Sequence, residues 1–405
     1  TYLAVLTVTD DEGIPDRDTV IVGVSIPEDF MIVGDSLFGP AHRLHTQIAI
    51  DETTGNIVCV WMQDEEGMDI QIYDIYLAIF DSTFSLIPPP EGLDAWPVLV
   101  NSDTNTNYLF LNNGLHYQGR FAIDIDQTTG KIAIAWSIRG PHTTVINAHS
   151  TKTYLRIFES DGNSHPSYSS ILLAEFRSFI AGWVDIVFGH TNELFFVHGG
   201  VYIWPPHNFY VNKFYVDTGN MQYSSPGISA NVDYISVTPS KIAWSEQMGL
   251  IVPHNRYYNT DTGTKSQFKL QIWNDDLTSN QFINLEEDSL HSFGGLFLGD
   301  SIFYFHSSWT DYLYNPNFRT NFGSIDIDRA NGNIIATWVA SSKSSPIFNL
   351  RASLIQIDSS QINYLIPPFD VTNGSQNSIP SLPIINRNSN TFSLTYTHLP
   401  QSYNE

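Results

Sequence analysis

Apolar and polar positions alternate in short runs along most of the chain, and clusters of Asp, Asn, Gly, Ser and Thr separate those runs. Alternation of period two marks strands and the polar clusters mark turns. The clearest instance is Ile123-Asp124-Ile125-Asp126-Gln127-Thr128-Thr129-Gly130-Lys131-Ile132-Ala133-Ile134-Ala135-Trp136, which reads as strand, tight turn, strand. Ile48 to Trp61 and Ile325 to Trp338 match it without a gap, which aligns Asp51, Asp126 and Asp328, then Gly55, Gly130 and Gly332, then Trp61, Trp136 and Trp338. The Asp carboxylate can accept hydrogen bonds from amides two residues on, and the Gly supplies the positive φ at which the chain reverses. After the turn, Ile132, Ile134 and Trp136 point to one side and Ala133 and Ala135 to the other. A strand apolar on both faces must lie between two layers.

Weaker copies of the hairpin occur at Phe188 to His198, Ser245 to Asn255 and Asn386 to Tyr396, with a shortened one at Leu296 to His306, which makes seven. Most are followed by a third strand (Ile75 to Asp81, Thr153 to Glu159, Phe209 to Asp217, Phe268 to Asp275, Ala352 to Asp358) and some by a fourth (Trp96 to Asn101, Phe282 to Glu286, Phe369 to Thr372). Four consecutive antiparallel strands, repeated, predict an all-β protein of β-propeller architecture with about seven blades, the one near Leu296 abbreviated. The last hairpin is followed by few residues, and Phe30 to Asp35 is similar to the fourth strands, so that segment is expected to close the ring.

Residues 1–24 read as two strands, one through Tyr2, Val5 and Val8 and one through Val20, Val22 and Val24. The order Tyr2, Leu6-Thr7-Val8-Thr9-Asp10, Gly13, Asp18-Thr19 and then alternating Val resembles the end of PKD-type (polycystic-kidney-disease) immunoglobulin-like domains. The resemblance implies a PKD-like β-sandwich ending near residue 26, a β-propeller over residues 27–405 similar to those of secreted and cell-surface bacterial and archaeal proteins, and an extracellular setting. The chain also reads as a piece of something longer.

Composition narrows the partners. The 405 residues carry 42 Asp and Glu against 18 Lys and Arg, a formal net charge of -24, so nucleic acid and anionic membrane surfaces are repelled. The one cysteine, Cys59, lies inside an apolar strand and excludes a disulfide framework. No segment has the apolar length that crosses a bilayer.

Candidate chemistry is sparse. Trp61, Trp136 and Trp338 share their column with His198, Asn255, His306 and Tyr396, at the end of the second strand. Such rings can stack on sugars, with Arg43, Arg120 and Arg139 close by in sequence as donors, or they can serve as packing. Asp124 with Asp126, and Asp326 with Asp328, form Asp-x-Asp pairs that would take a Ca2+ ion; the apolar strand right after the Gly lacks the further oxygens such an ion wants, which favours turn stabilisation. Asn373-Gly374-Ser375 is an N-glycosylation sequon. No catalytic motif of nucleophile, metal or nucleotide type occurs. The expected function is therefore a non-catalytic extracellular one, in adhesion, glycan binding or assembly of a surface layer or filament with a glycan, a surface protein or further copies as partner. The alternative is an extracellular polysaccharide lyase or glycosidase with its site on the propeller axis.

Overall fold

A computed structural model describes residues 6–9, 15–18, 43–64, 73–101, 121–141, 149–166, 169–177, 183–199, 209–223, 234–239, 241–260, 263–278, 280–284, 323–328, 331–342, 345–358, 361–371, 378–380, 384–386, 391–393 and 396–398. Every regular element among them is a strand, and the chain divides into two compact units, residues 1–41 and 42–405.

In the first unit β1 (Leu6–Thr9) pairs antiparallel with β2 (Pro15–Asp18), Leu6 opposite Asp18 and Thr9 opposite Pro15. The partner strand thus begins earlier than the Val20-Val22-Val24 run. Pro15 is tolerated because it opens the strand, where its missing N–H leaves no gap in a central ladder. This hairpin is what the described residues contain of the expected PKD-like domain, and two strands do not make its sandwich.

The second unit is a series of antiparallel meanders. The first blade is β3 (Arg43–Ile50), β4 (Ile57–Asp64), β5 (Tyr73–Phe80) and β6 (Val98–Leu99). The second is β7 (Phe121–Ile125), β8 (Ile132–Pro141), β9 (His149–Phe158) and β10 (Ile171–Arg177); the third is β11 (Trp183–Phe188), β12 (Glu193–Gly199), β13 (Phe209–Tyr215) and β14 (Asn220–Tyr223). In the fourth, β15 (Tyr234–Pro239) and β16 (Ala243–Ser245) both pair with β17 (Gly249–Thr260), followed by β18 (Gly263–Trp273) and β19 (Asn280–Asn284). The fifth is β20 (Gly323–Ile327), β21 (Asn333–Ser342), β22 (Ser345–Asp358) and β23 (Gln361–Asp370). Beyond it β24 (Ser378–Pro380) pairs with β27 (Tyr396–His398), and β25 (Ile384–Asn386) with β26 (Thr391–Ser393), the last expected hairpin.

The core lies between blades. Val58, Val60 and Met62 meet Ile132, Ile134 and Trp136 between the first and second blades, while Ala133 and Ala135 meet Ile186, Phe188 and Phe196 between the second and third. Val197 and Val211 meet Trp244, Leu250 and Val252 between the third and fourth. Ile251, Leu270 and Ile272 then meet Ile325, Ile334 and Ile355 between the fourth and fifth. The two apolar faces of the second strands are thereby accounted for, one packing on the preceding blade and one on the next. This face-to-face stack in chain order is the blade arrangement of a β-propeller. The abbreviated blade expected at Leu296 to His306 and the closing segment Phe30 to Asp35 lie outside the described residues, and the blades that flank Leu296 to His306 pack directly on one another.

Two families of turns fix the registers. In the first, Asp51 Oδ1 accepts from the Thr53 and Thr54 amides at 2.9 and 3.3 Å, and Asp126 Oδ1 from those of Thr128 and Thr129 at 2.9 and 3.4 Å. Asp328 Oδ1 accepts from the Asn331 amide at 3.4 Å, and Gly55, Gly130 and Gly332 sit at φ 78°, 73° and 70°. The second family joins third to fourth strands, with Asp81, Glu159 and Asn274 at its head and Phe84, Gly162 and Leu277 at φ 62°, 86° and 56°. Its positive φ falls on two non-glycine residues, so the residue types do not announce it. The fourth strands β10 and β14 are not announced by the sequence either: ILLAEFR lacks strict alternation, and NMQY is only four residues long.

Candidate functional site

The two ends of the blade stack differ. At one end lie the tight turns of both families, and they interlock from blade to blade. Gln127 Nε2 donates to the Ile50 carbonyl at 3.0 Å, the Asn192 amide to Asp126 Oδ2 at 3.1 Å, and Gln222 Nε2 to the Asp276 carbonyl at 2.5 Å. Asp81, half-buried, and Asp276, exposed, are held below the ordinary carboxylate range in these turns, chiefly by the hydroxyls of Thr83 and Thr278. At the opposite end the described strands stop at Asp64, Pro141 and Gly199 and resume at Tyr73, His149 and Phe209, each blade gives way to the next, and the stretches of sequence between those strand ends include the longest in the unit. There β21 and β22 run on as a ribbon past the end of β20, where Gly323 faces Trp338, to the Ser342–Ser345 pair. Binding and catalytic residues concentrate on long loops carried by a rigid scaffold, which makes this end the candidate functional face.

The aromatic column stands toward that end. Trp61 and Trp136 are fully buried, each stacked on the tyrosine opposite it in the ladder, Tyr76 at 6.1 Å and Tyr154 at 5.9 Å between ring centroids. His198 continues the column between Phe196 at 5.6 Å and Tyr210 at 5.4 Å. Its Nε2 is 2.9 Å from Asn212 Nδ2, and burial pushes its pKa down to about 4, so the imidazole is neutral. These rings pack across strands within the blade, as cross-strand pairs do. The Trp338 backbone faces Arg351 in the ladder, and Arg43 and Arg139 lie in β3 and β8 near the long-connection end. Arg120, His306 and Asn373 fall outside the described residues.

The carboxylates proposed as cation ligands have other tasks. Asp126 Oδ2 accepts the Thr129 hydroxyl at 2.8 Å as well as the Asn192 amide, and Asp328 Oδ2 accepts from Asn331 Nδ2 at 2.6 Å. Asp124 faces the third blade and accepts the Phe188 amide at 2.6 Å, while Asp326 lies half-buried on β20. Among the described residues no group of three or more His, Cys, Asp and Glu converges to hold a metal ion.

Sequence reasoning missed a set of joints between blades. Gln47 Nε2 donates to the Phe121 carbonyl at 2.6 Å, Arg156 Nη1 to the Val100 carbonyl at 2.6 Å, and Asp185 Oδ2 accepts the Ile242 amide at 2.6 Å. Asp185 is the carboxyl among them: burial raises its pKa to about 6, and the Asp124 charge adds to the rise, against the amides of Ile242 and Ile186 and the Lys241 ammonium. Lys213, also buried, pairs with Glu193 at 2.7 Å and lies over the Phe195 ring at 4.9 Å. These residues occupy ordinary strand positions, so only knowledge of which blade faces which could have singled them out.

No family model matches the chain, and no curated protein sequence matches it. Solved structures do. A protein described as Hadza microbial sialidase Hz136 is similar at 10% identity and a TM-score of 0.43, over 84% of this chain and 60% of its own. A polysaccharide lyase described as an ulvan lyase is similar at 9% identity and 0.45, over 83% and 71%; an endo-arabinase from Bacteroides thetaiotaomicron at 11% and 0.36, over 70% and 94%. The chain thus spans 60% of the length of the sialidase it resembles. At identities of 9–11% and TM-scores below 0.5 the likeness assigns no activity to this chain. The non-catalytic adhesion or assembly role expected from the sequence is the reading these comparisons contradict: the matching structures are described as polysaccharide lyases and glycosidases, the class of the alternative.

Proposed function

We propose that this chain is an extracellular polysaccharide-degrading enzyme, a glycosidase or lyase, whose site lies at the long-connection end of the blade stack. The observation that supports it is the asymmetry of the two ends. One end is committed to short, hydrogen-bonded turns locked to one another, whereas the other gathers the segments that differ most in length between blades. A scaffold so arranged can hold variable loops in fixed geometry around an extended chain of sugars. The absence of a catalytic motif in the sequence does not weigh against this, because glycosidic cleavage needs carboxyl groups brought together by the fold rather than by sequence spacing. In the same reading Arg43, Arg120 and Arg139 donate hydrogen bonds to sugar hydroxyls from that end. Trp61, Trp136 and His198 brace the strands beneath it. Acidic surface charge keeps the protein dispersed in the medium. The preceding unit would then be a carrier or spacer.

The test is incubation of the purified protein with arabinans, galactans, xylans and uronate-containing glycans, following new reducing ends and unsaturated uronates. Release of either, lost when the 142–148 connection is replaced by a short Gly-Ser linker in a variant that keeps its unfolding transition, supports the reading. No release from any glycan would overturn it.

A further inference from the structure

The first blade carries an apolar surface that its sister blades keep covered. In β3, Gln47 and Ala49 point to the second blade, Gln47 to the Phe121 carbonyl and Ala49 into the shared core. Ile48 and Ile50 alternate with them and so point the other way, 51% and 53% exposed. Ile50 stands opposite Ile57 on the last rung before the Asp51 turn. Ile125, Phe188 and Ile327 hold the same rung in the second, third and fifth blades, with Ile123, Ile186 and Ile325 two residues before them. Each of those pairs packs on the preceding blade: Ile123 and Ile125 on the first, Ile186 and Phe188 on the second, Ile325 and Ile327 on the fourth. In the first blade the pair is half open. Beside it, on the same face, Cys59, Trp61, Ala78 and Phe80 are fully buried, and none of the four cores between the described blades includes them.

The stack has one more member at its far end. Pro380 pairs with Tyr396 and Ile384 with Ser393, so the four short strands β24 to β27 are the two broken arms of a single hairpin. In it β24 lies against β21 and β22 of the fifth blade, and β25 against β20. Its sequence is apolar at Ile384, Ile385, Phe392, Leu394 and Tyr396.

We propose that this hairpin is the blade that precedes the first: it docks on Ile48 and Ile50 and closes a ring of six. Blades stack here in chain order, each on the one before it, and the hairpin continues that order past the fifth. In a ring the last member returns to the first, and the rung that receives the preceding blade elsewhere is the rung that stands open in β3. Cover at that rung continues over Cys59 and Trp61, which lie on the same face. The direct packing of the fourth blade on the fifth leaves no place between them for a further blade, which sets the number at six rather than seven. The proposal concerns the scaffold and does not rest on the enzymatic reading.

Disulfide trapping in the whole chain tests it. In a Cys59→Ala background, Ile48→Cys is combined in turn with Ile384→Cys, Ile385→Cys, Phe392→Cys and Ser393→Cys, and mild oxidation is followed on non-reducing gels. At least one pair should close within a single chain, at least about tenfold faster than the same hairpin cysteine paired with Glu91→Cys on the exposed surface of the first blade. Cross-links only between chains would mean that a second copy occupies the open rung, and no cross-link from any pair would mean that the ring is not closed there; either result overturns the proposal. Should the cysteine variants fail to fold, NMR of wild-type protein labelled at isoleucine methyl groups decides instead. Nuclear Overhauser contacts from Ile48 or Ile50 to Ile384 or Ile385 support the closure, and their absence sinks it.

Discussion

The Asn192 amide donates to Asp126 Oδ2 at 3.1 Å, so the carboxylate that closes the turn of the second blade also holds the turn of the third. Asn192 completes the bridge with its side chain: Oδ1 accepts from Lys131 Nζ at 2.7 Å, and Nδ2 donates to Asp217 at 2.8 Å. It does so from φ 62°, a left-handed conformation that Asn adopts more readily than most residues. Asp51, by contrast, caps its own turn, through the Thr53 and Thr54 amides and the Thr54 hydroxyl at 2.6 Å.

That difference gives the first prediction. Asp51→Ala removes the caps of one turn and should cost about 1–2 kcal/mol, while Asp126→Ala also leaves the Asn192 amide without its acceptor and should cost about 1 kcal/mol more. Urea unfolding of the two variants side by side measures the gap. Equal losses would mean that the bridge between the turns contributes nothing to the stack.

These two columns show how far the chain could be read without a structure. Asp51, Asp126 and Asp328 repeat at one spacing before a Gly, and the local chemistry of an Asp-capped turn is complete within five residues, so the hairpins were legible. The bridge to Asn192 was not, because it joins residues 66 positions apart through a backbone amide, and a backbone amide has no sequence signal. The same holds for Asp185, whose neighbour Ile242 is 57 positions away. Trp136 marks the opposite failure. Its column was conspicuous, yet a conspicuous aromatic in a strand says only that a large surface is buried, and here the ring lies on Tyr154.

A second prediction concerns pH and the two faces of the third blade. Asp185 has a folded pKa raised to about 6, so its contribution to stability is full below the unfolded value near 3.8 and is lost as pH rises through 6. His198 has a folded pKa lowered to about 4, so its contribution is full above the unfolded value near 6.5 and is lost as pH falls through 4. Between pH 4 and 6 the two slopes oppose each other at about 1.4 kcal/mol per pH unit each. Relative to wild type, Asp185→Asn should therefore gain stability as pH rises through this window and His198→Gln should lose it. Denaturant midpoints at pH 4, 5 and 6 check the crossing; parallel pH curves for the three proteins would refute it.

Cys59 offers a probe of the blade face it occupies. Its thiol is fully buried in β4, and burial pushes its pKa up to about 12, so almost no thiolate exists at pH 8. Alkylation by iodoacetamide in native buffer should be at least about a hundredfold slower than in denaturant, with a rate that tracks unfolding. Rapid native labelling would show that the first blade opens on its own.

The last prediction separates two glycines that share a conformation and differ in surroundings. Gly92 and Gly249 sit at φ 85° and 80°, so an L side chain at either position strains the backbone by about 1–2 kcal/mol. A Cβ on Gly92 would meet nothing within 4 Å, whereas one on Gly249, at the start of β17, would run into the Trp273 carbonyl of the paired strand β18. A backbone carbonyl in a ladder cannot rotate aside as a side chain can, so relief requires β17 and β18 to separate where the core of the fourth blade begins. Gly92→Ala should cost about 1 kcal/mol, and Gly249→Ala more than about 3 kcal/mol, with Trp273 fluorescence reporting the displaced ladder. If Gly249→Ala unfolds at the same temperature as Gly92→Ala, the turn at Ser245 to Met248 is able to shift as a unit and the close approach is not what fixes this glycine.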